Sequence, residues 1–403
     1  MKPVANRRER AQQWVPVILL AGMAGYPLLG TLVVLSPLPS LVASIPMRLL
    51  VAVASILMIA MAQPARMSPL KTALWVFWLM YLARLVWDLF IVSVPGAGDA
   101  LLLFASTCLL PAVALLRSTP RALDESAFAK LFLVLGFVTC LLAILITLAN
   151  LSSGRSLFAD TERLAFDTVN PITYGHVAAT TVIAAISLLH HRVRVVWLVM
   201  LVPAVVAAAA TLQLAASRGP AVSLAACLLV VAALHSRLRL IVLLVASLVI
   251  LLVVSFGSAL EDRITEVEDD PSTLERVVVQ TNAISQFLDS PLTGSAYIET
   301  ELEIYPHNPI IEAAMATGAL GLALFSVVFV AVLARLIGLL RRGQIFVPLL
   351  ALQYLIGSMV SGSLFASTQM WIVIVLVIAA PRPSAHAHRR IAMSRSHTSH
   401  ATA

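Results

Sequence analysis

Charged side chains are scarce in this chain of 403 residues: Asp, Glu, Lys and Arg make up 12% of it, against roughly 25% in an ordinary soluble domain. That scarcity excludes a soluble globular protein, because too few polar groups are available to cover its surface. Cysteine is nearly absent as well. Cys108, Cys140 and Cys227 are the three present, all inside long apolar stretches and none in a CxxC pair. A disulfide framework and a thiolate metal site are therefore not indicated. What fills the space is apolar: 60% of the residues are hydrophobic and the mean hydropathy is +0.96.

Crossing a hydrocarbon core of about 30 Å takes about 20 apolar residues in a helix. Windows of that kind recur over 14–35, 44–62, 70–93, 100–116, 128–149, 171–189, 195–215, 220–234, 238–259, 309–334, 345–361 and 366–380. The expected fold is an all-α polytopic membrane protein of about 12 transmembrane helices. The first window follows Arg7, Arg8 and Arg10, as a signal peptide would. It is too long for a cleaved apolar region and lacks a clean small-x-small site, so it reads as an uncleaved span.

Orientation follows from the basic residues, which collect on the cytoplasmic side. With the N-terminus inside, alternation over twelve spans puts 20 of the 27 Lys and Arg on the inner side. The other seven are Arg48, Arg84, Arg155, Arg163, Arg218, Arg263 and Arg276. The net charge of +7 is then a topology signal and calls for no nucleic-acid partner. The expected organisation is an N-terminal bundle of spans 1–5 over 1–149, an outer loop over 150–170 and spans 6–9 over 171–259. A large outer loop of short helices over 260–307, spans 10–12 over 308–380 and a disordered cytoplasmic tail over 381–403 complete it. His386 and His388 in that tail read as solvated.

The large outer loop carries eleven acidic residues against two arginines. Within it Leu274, Val277, Val278, Thr281, Ile284 and Leu288 recur at helical spacing up to Ser290-Pro291, which predicts an amphipathic helix on the outer membrane face. Arg218 falls between two windows with almost no loop, and Gly219-Pro220 after it suits a helix start. A guanidinium beside free helix-terminal amides is an anion site. An ionisable group at such depth reads as functional ahead of lipid snorkelling. Arg276 and Arg163 stand beside acidic residues, and taken alone each reads as a local ion pair. Arg84 and Asp88, an i,i+4 pair, read as self-neutralising and lie outside the expected site. Arg48 reads as snorkelling to lipid phosphate.

His307 sits just before a long apolar run. Asn308 can cap that helix, Pro309 begins it and Glu312 stands in its first turn, where the dipole favours a carboxylate. Nearby arginines favour the neutral imidazole, the form a general base requires.

HNPIIEAAMATGALGL resembles the signature of the O-antigen ligase and polymerase superfamily: His-Asn, an acidic residue five positions after the His, and glycines at eleven and fourteen. Here these are His307, Asn308, Glu312, Gly318 and Gly321. The stretch from Arg276 to Pro291-Leu292-Thr293-Gly294, the Ser217-Arg218-Gly219 turn, and Arg163 followed by Asn170-Pro171 and Gly175 are similar to further family motifs.

The resemblance implies glycan transfer on the periplasmic face of the bacterial inner membrane, with both termini cytoplasmic. The donor is a glycan on undecaprenyl diphosphate, and for a ligase the acceptor is a sugar hydroxyl of lipid A-core. It implies His307, Arg218 and Arg276 as catalytic residues, Arg163, Asn308 and Glu312 as substrate-binding residues, and no cofactor or metal. A polymerase or protein oligosaccharyltransferase using the same donor is the alternative within that resemblance. A transporter, whose polar residues line a midplane pathway, fits worse, because the polar candidates gather at one boundary.

Overall fold

The computed structural model describes residues 11–36, 39, 41–62, 67–118, 124–152, 164, 166, 169–191, 195–255 and 271–380. Arg163, the basic N-terminus, residues 260–270 of the large loop, and the tail with His386 and His388 lie outside them.

Thirteen helices account for nearly all of the described chain. They are α1 Trp14–Val33, α2 Leu41–Met61, α3 Pro69–Val92, α4 Ala97–Arg117, α5 Glu125–Ser152, α6 Pro171–His190 and α7 Val195–Ala215. Next come α8 Arg218–Leu234, α9 Ser236–Ser255, α10 Pro271–Asp289, α11 Pro309–Leu340, α12 Phe346–Ser361 and α13 Thr368–Ala379. Among the described residues the only extended pairing is a lone bridge between Phe166 and Val169. The all-helical membrane fold is thus observed. Among the described residues eight helices, α1 to α7 and α11, are long and apolar enough to cross a membrane; the windows expected at 220–234, 345–361 and 366–380 hold shorter apolar helices, and that at 238–259 a shorter apolar stretch, Leu238–Ser247, within α9.

Three helix starts share one chemistry. Ser68 before Pro69, Asn170 before Pro171 and Asn308 before Pro309 each accept a first-turn amide, at 3.4 Å from Lys71, 2.8 Å from Thr173 and 2.9 Å from Ile310. The cap satisfies a donor that helix geometry orphans, while the proline supplies none to satisfy.

Aromatic rings close the centre of the bundle. Trp371 of α13 packs against Phe77 and Trp78 of α3, Phe104 of α4 and Phe325 of α11 at centroid distances of 5.8 to 6.3 Å. All five are essentially inaccessible, and the Trp371 indole N–H donates to Leu364 O at 2.7 Å. Glu125 of α5 accepts the Ile345 and Val347 amides at 2.8 and 3.4 Å, fixing the start of α12. The opposite end of α12, at Val360–Gly362, is where the candidate site assembles.

The predicted amphipathic helix is α10. Its expected apolar residues Leu274, Val277, Val278, Ile284 and Leu288 are all exposed, whereas Val279 and Ala283 are the ones buried against the protein. An apolar stripe turned away from the bundle suits a helix lying in a membrane interface.

Candidate active site

α11 begins twice. At Gly318 its backbone leaves helical geometry, with φ 67° and ψ −168°, so Pro309–Thr317 forms a separate short helix before the long one resumes. A break of this kind in a membrane protein must have its freed backbone groups satisfied by other parts of the protein. Here the turn Pro291-Leu292-Thr293-Gly294-Ser295 does so. Ala319 N–H donates to Pro291 O at 2.7 Å, and Met315 O accepts from Ser295 N–H at 2.9 Å. The turn and the break touch so closely that side chains are excluded. A Cβ on Gly318 would lie 2.3 Å from Leu292 O, and one on Gly294, itself at φ 70°, 2.5 Å from the Ala316 carbonyl carbon. Both positions need glycine for conformation and for space.

Arg84 of α3 locks this junction. Its Nε donates to Ala316 O at 2.8 Å, Nη1 to Ser295 O at 3.0 Å and Nη2 to Thr293 O and Gly294 O at 2.8 and 3.0 Å. Asp88, fully buried, faces Arg84 Nη1 at 3.4 Å and accepts the Tyr297 amide at 2.8 Å. The pair expected to neutralise itself thus also binds the loop that carries His307.

His307 follows that loop. Its φ of 55° is left-handed, a conformation unusual for a residue with a side chain, and it turns the chain into the Asn308 cap. The imidazole lies 4.3 Å from the Tyr305 ring between centroids. Its Nδ1 is buried with no hydrogen-bond partner among the described residues. Burial pulls its pKa down to about 4, the Arg276 guanidinium adds to the drop, and a hydrogen bond to the Ser361 main chain opposes it. The ring is therefore neutral at physiological pH. Burial also raises the Tyr305 phenol, which stays protonated.

Arg276 comes from α10. Its Nη1 and Nη2 reach Val360 O and Ser361 Oγ, both at 3.5 Å, the long limit of such contacts. Arg218 is half-buried in the first turn of α8. The chain enters α8 through Ala216 at φ 44°, and Gly219 lies against Val360, whose Cγ1 would be 3.6 Å from a Cβ there. The end of α12 is thus the common neighbour of Arg276 and His307, and Gly219, the residue after Arg218, packs against it as well.

Beside them is a cavity of about 180 Å³ whose polar lining includes Asn170, Thr173, His176, Tyr305, Ser361 and Gln369. His176 stacks on Tyr354 at 5.2 Å, and its Nδ1 and main-chain O face Gln353 Nε2 at 3.4 and 2.9 Å. Sequence reading passed over His176, Tyr305 and Ser361. His176 stands directly after the Gly175 of a recognised motif, and Tyr305 two residues before His307, so adjacency was the one available signal.

Asn308 and Glu312, expected to bind substrate, have partners within the protein. The Asn308 Oδ1 is engaged by the Ile310 and Ile311 amides. Glu312 is fully buried, with Oε1 accepting from the Tyr81 hydroxyl and Oε2 from the Leu364 amide, the latter at 2.8 Å. Its carboxylate ties the 362–367 turn and Tyr81 of α3 to the first half of α11. Among the described residues no group of three or more His, Cys, Asp or Glu side chains is arranged to hold a metal ion.

No curated protein matches the chain. Over residues 203–326, from within α7 to just beyond the Gly318 break, it matches the family model described as O-Antigen ligase, and the matched segment holds Arg218, Arg276 and His307.

Proposed function

We propose that this protein is an O-antigen ligase: a metal-independent, inverting glycosyltransferase that moves a glycan from undecaprenyl diphosphate to a sugar hydroxyl of lipid A-core, on the periplasmic face of the inner membrane. The observation that carries the reading is the meeting of Arg276 and a neutral histidine at the end of α12, against which the start of α8, the helix of Arg218, also packs.

In the reaction the acceptor oxygen forms a bond to the anomeric carbon while that carbon's bond to the diphosphate oxygen breaks. The electron pair leaves with the diphosphate, and the hydroxyl proton passes to His307. Arg218 and Arg276 stabilise the negative charge that grows on the leaving group; guanidinium forks suit phosphate oxygens. Attack from the face opposite the diphosphate inverts the centre. An imidazole held at about 4 is neutral but a weak base. The bound diphosphate offsets the charge of Arg276, which lifts the imidazole toward the range where general bases work best. Asn308 and Glu312 hold His307 and its helix in place, and Arg163, outside the described residues, is a further candidate for the donor. The polyprenyl tail stays in the bilayer beside a site at the end of the bundle.

The test is transfer by purified protein from undecaprenyl-diphosphate-linked glycan to lipid A-core. His307→Ala is expected to lose about 10²- to 10⁴-fold in kcat while still binding donor. Normal turnover by that variant would overturn the base assignment. In a deletion strain, polymer left on the lipid carrier with none on core supports ligase, whereas single repeats on core would replace that reading with polymerase.

A further inference from the structure

A second cavity, of about 270 Å³, lies beside the first and shares Thr173, Ala366 and Gln369 with it. The two lobes adjoin across those three residues. The second lobe is lined on one side by Ser44, Met47, Arg48 and Val51, which form a single face of α2 at i, i+3, i+4 and i+7. Tyr26, Thr107, Thr368 and Gln369 face them. Gly25 allows this closeness of α1 and α2, since a Cβ there would fall 2.8 Å from Met47 Sδ. The lining offers hydroxyls, an amide and one guanidinium, and contains no Asp or Glu. Read from sequence alone, Arg48 is a snorkelling residue; the structure puts it, exposed, at the wall of a cavity of mixed polar and apolar lining.

We infer that this lobe is the acceptor subsite and that Arg48 binds a phosphate group carried by the acceptor saccharide. The inference rests on the glycosyltransferase reading above. Arg218, Arg276 and His307 line neither cavity, and Arg276 touches the first through Ser361. If the diphosphate lies with them at the end of α12, beside the first cavity, the second is left for the other reactant. Its hydroxyls and amide suit a sugar, and its unopposed positive charge suits an anionic one. An acceptor held there would extend its hydroxyl past Thr173 and Gln369, which line both cavities, toward Tyr305 and its neighbour His307. The same chemistry would also hold an anionic lipid headgroup, so the test separates the two sources.

The experiment uses full-length protein in neutral detergent with two acceptors, lipid A-core and the same material after phosphatase treatment. For wild type, the dephosphorylated acceptor is expected to show a KM about tenfold higher, the equivalent of about 1.4 kcal/mol. Arg48→Ala is expected to raise KM for the untreated acceptor about tenfold, with donor KM and kcat at saturation nearly unchanged. It should have little further effect on the treated acceptor, and Arg48→Lys should recover part of the loss. Equal effects on both acceptors, or none, would overturn the proposal. So would an Arg48→Ala defect seen in anionic-lipid nanodiscs and absent in neutral detergent, which would assign Arg48 to a lipid headgroup. If Arg48→Ala does not fold, wild type turning over both acceptors with one KM is sufficient to refute it. His307→Ala assayed alongside keeps the two readings apart: its normal turnover removes the base assignment, whereas its loss of turnover beside an indifferent Arg48→Ala removes the acceptor subsite alone.

Discussion

Arg84→Met keeps most of the side-chain stem and removes the guanidinium, so it isolates what the charge does. In the native protein that group serves four main-chain carbonyls, of Thr293, Gly294, Ser295 and Ala316, and faces Asp88. The side chain is 13% exposed and that of Asp88 fully buried, so solvent screens the pair little. Breaking a buried pair by removing one partner costs about 3–5 kcal/mol. The loss falls on the contact between the 291–295 turn and the Gly318 break, and hence on the loop leading to His307. A loop-opening equilibrium should therefore shift by about 10²- to 10⁴-fold, since about 1.4 kcal/mol is a factor of ten. Native-state proteolysis of residues 290–306 reads that equilibrium when opening is fast relative to cleavage. Glycan transfer should fall with it, although Arg84 touches neither substrate. Arg84→Met combined with Asp88→Asn should recover part of the loss, because no charge is then left alone in the interior. If Arg84→Met resists protease like wild type and transfers glycan at the normal rate, the reasoning is wrong and the pair is a local neutralisation.

Two glycines of α11 offer a contrast within one helix. Gly318→Ala forces a side chain into a left-handed position and against Leu292 O, and should cost about 2 kcal/mol or more with loss of transfer. Gly338→Ala meets no atom within 4 Å and should be neutral or gain up to about 1 kcal/mol; thermal inactivation in detergent ranks the two, and the reverse order would refute the break as described. The pH profile follows from His307. Its folded pKa is lowered to about 4 and the base works neutral, so kcat/KM should hold as pH falls through 6 and drop only near 4. The kcat profile should break at higher pH, because bound diphosphate lifts the imidazole. A kcat/KM limb at an ordinary imidazole pKa of about 6.5 would contradict the burial seen here. Arg276→Ala and Arg218→Ala should abolish transfer, and Lys at either position should restore a fraction at best, as an ammonium lacks the planar fork; full recovery by Lys would reduce each arginine to a point charge.

The sequence alone determined the membrane fold and most helix positions, because both follow from local composition. A run of apolar residues is stable only in lipid or a packed interior, and Asn-Pro or Ser-Pro sets a helix start from within a few residues. The same locality made α10 readable, and with it the exposed stripe of Leu274, Val277 and Val278. His307, Arg218 and Arg276 were legible as candidates through motif and through the oddness of charge at a membrane boundary. Their placement about the end of α12 was not legible, since it depends on where that end falls relative to α8 and α10, and no local pattern encodes that. Tertiary structure also decided which polar residues are scaffold. Glu312 looked free to meet substrate until Tyr81 and Leu364 were found on its two oxygens. Arg84 looked content with Asp88 until a turn more than two hundred residues away supplied three carbonyls and α11 a fourth. A buried polar group takes whichever partner the packing brings within reach, so its role is set by distant chain segments and is invisible in the residues beside it.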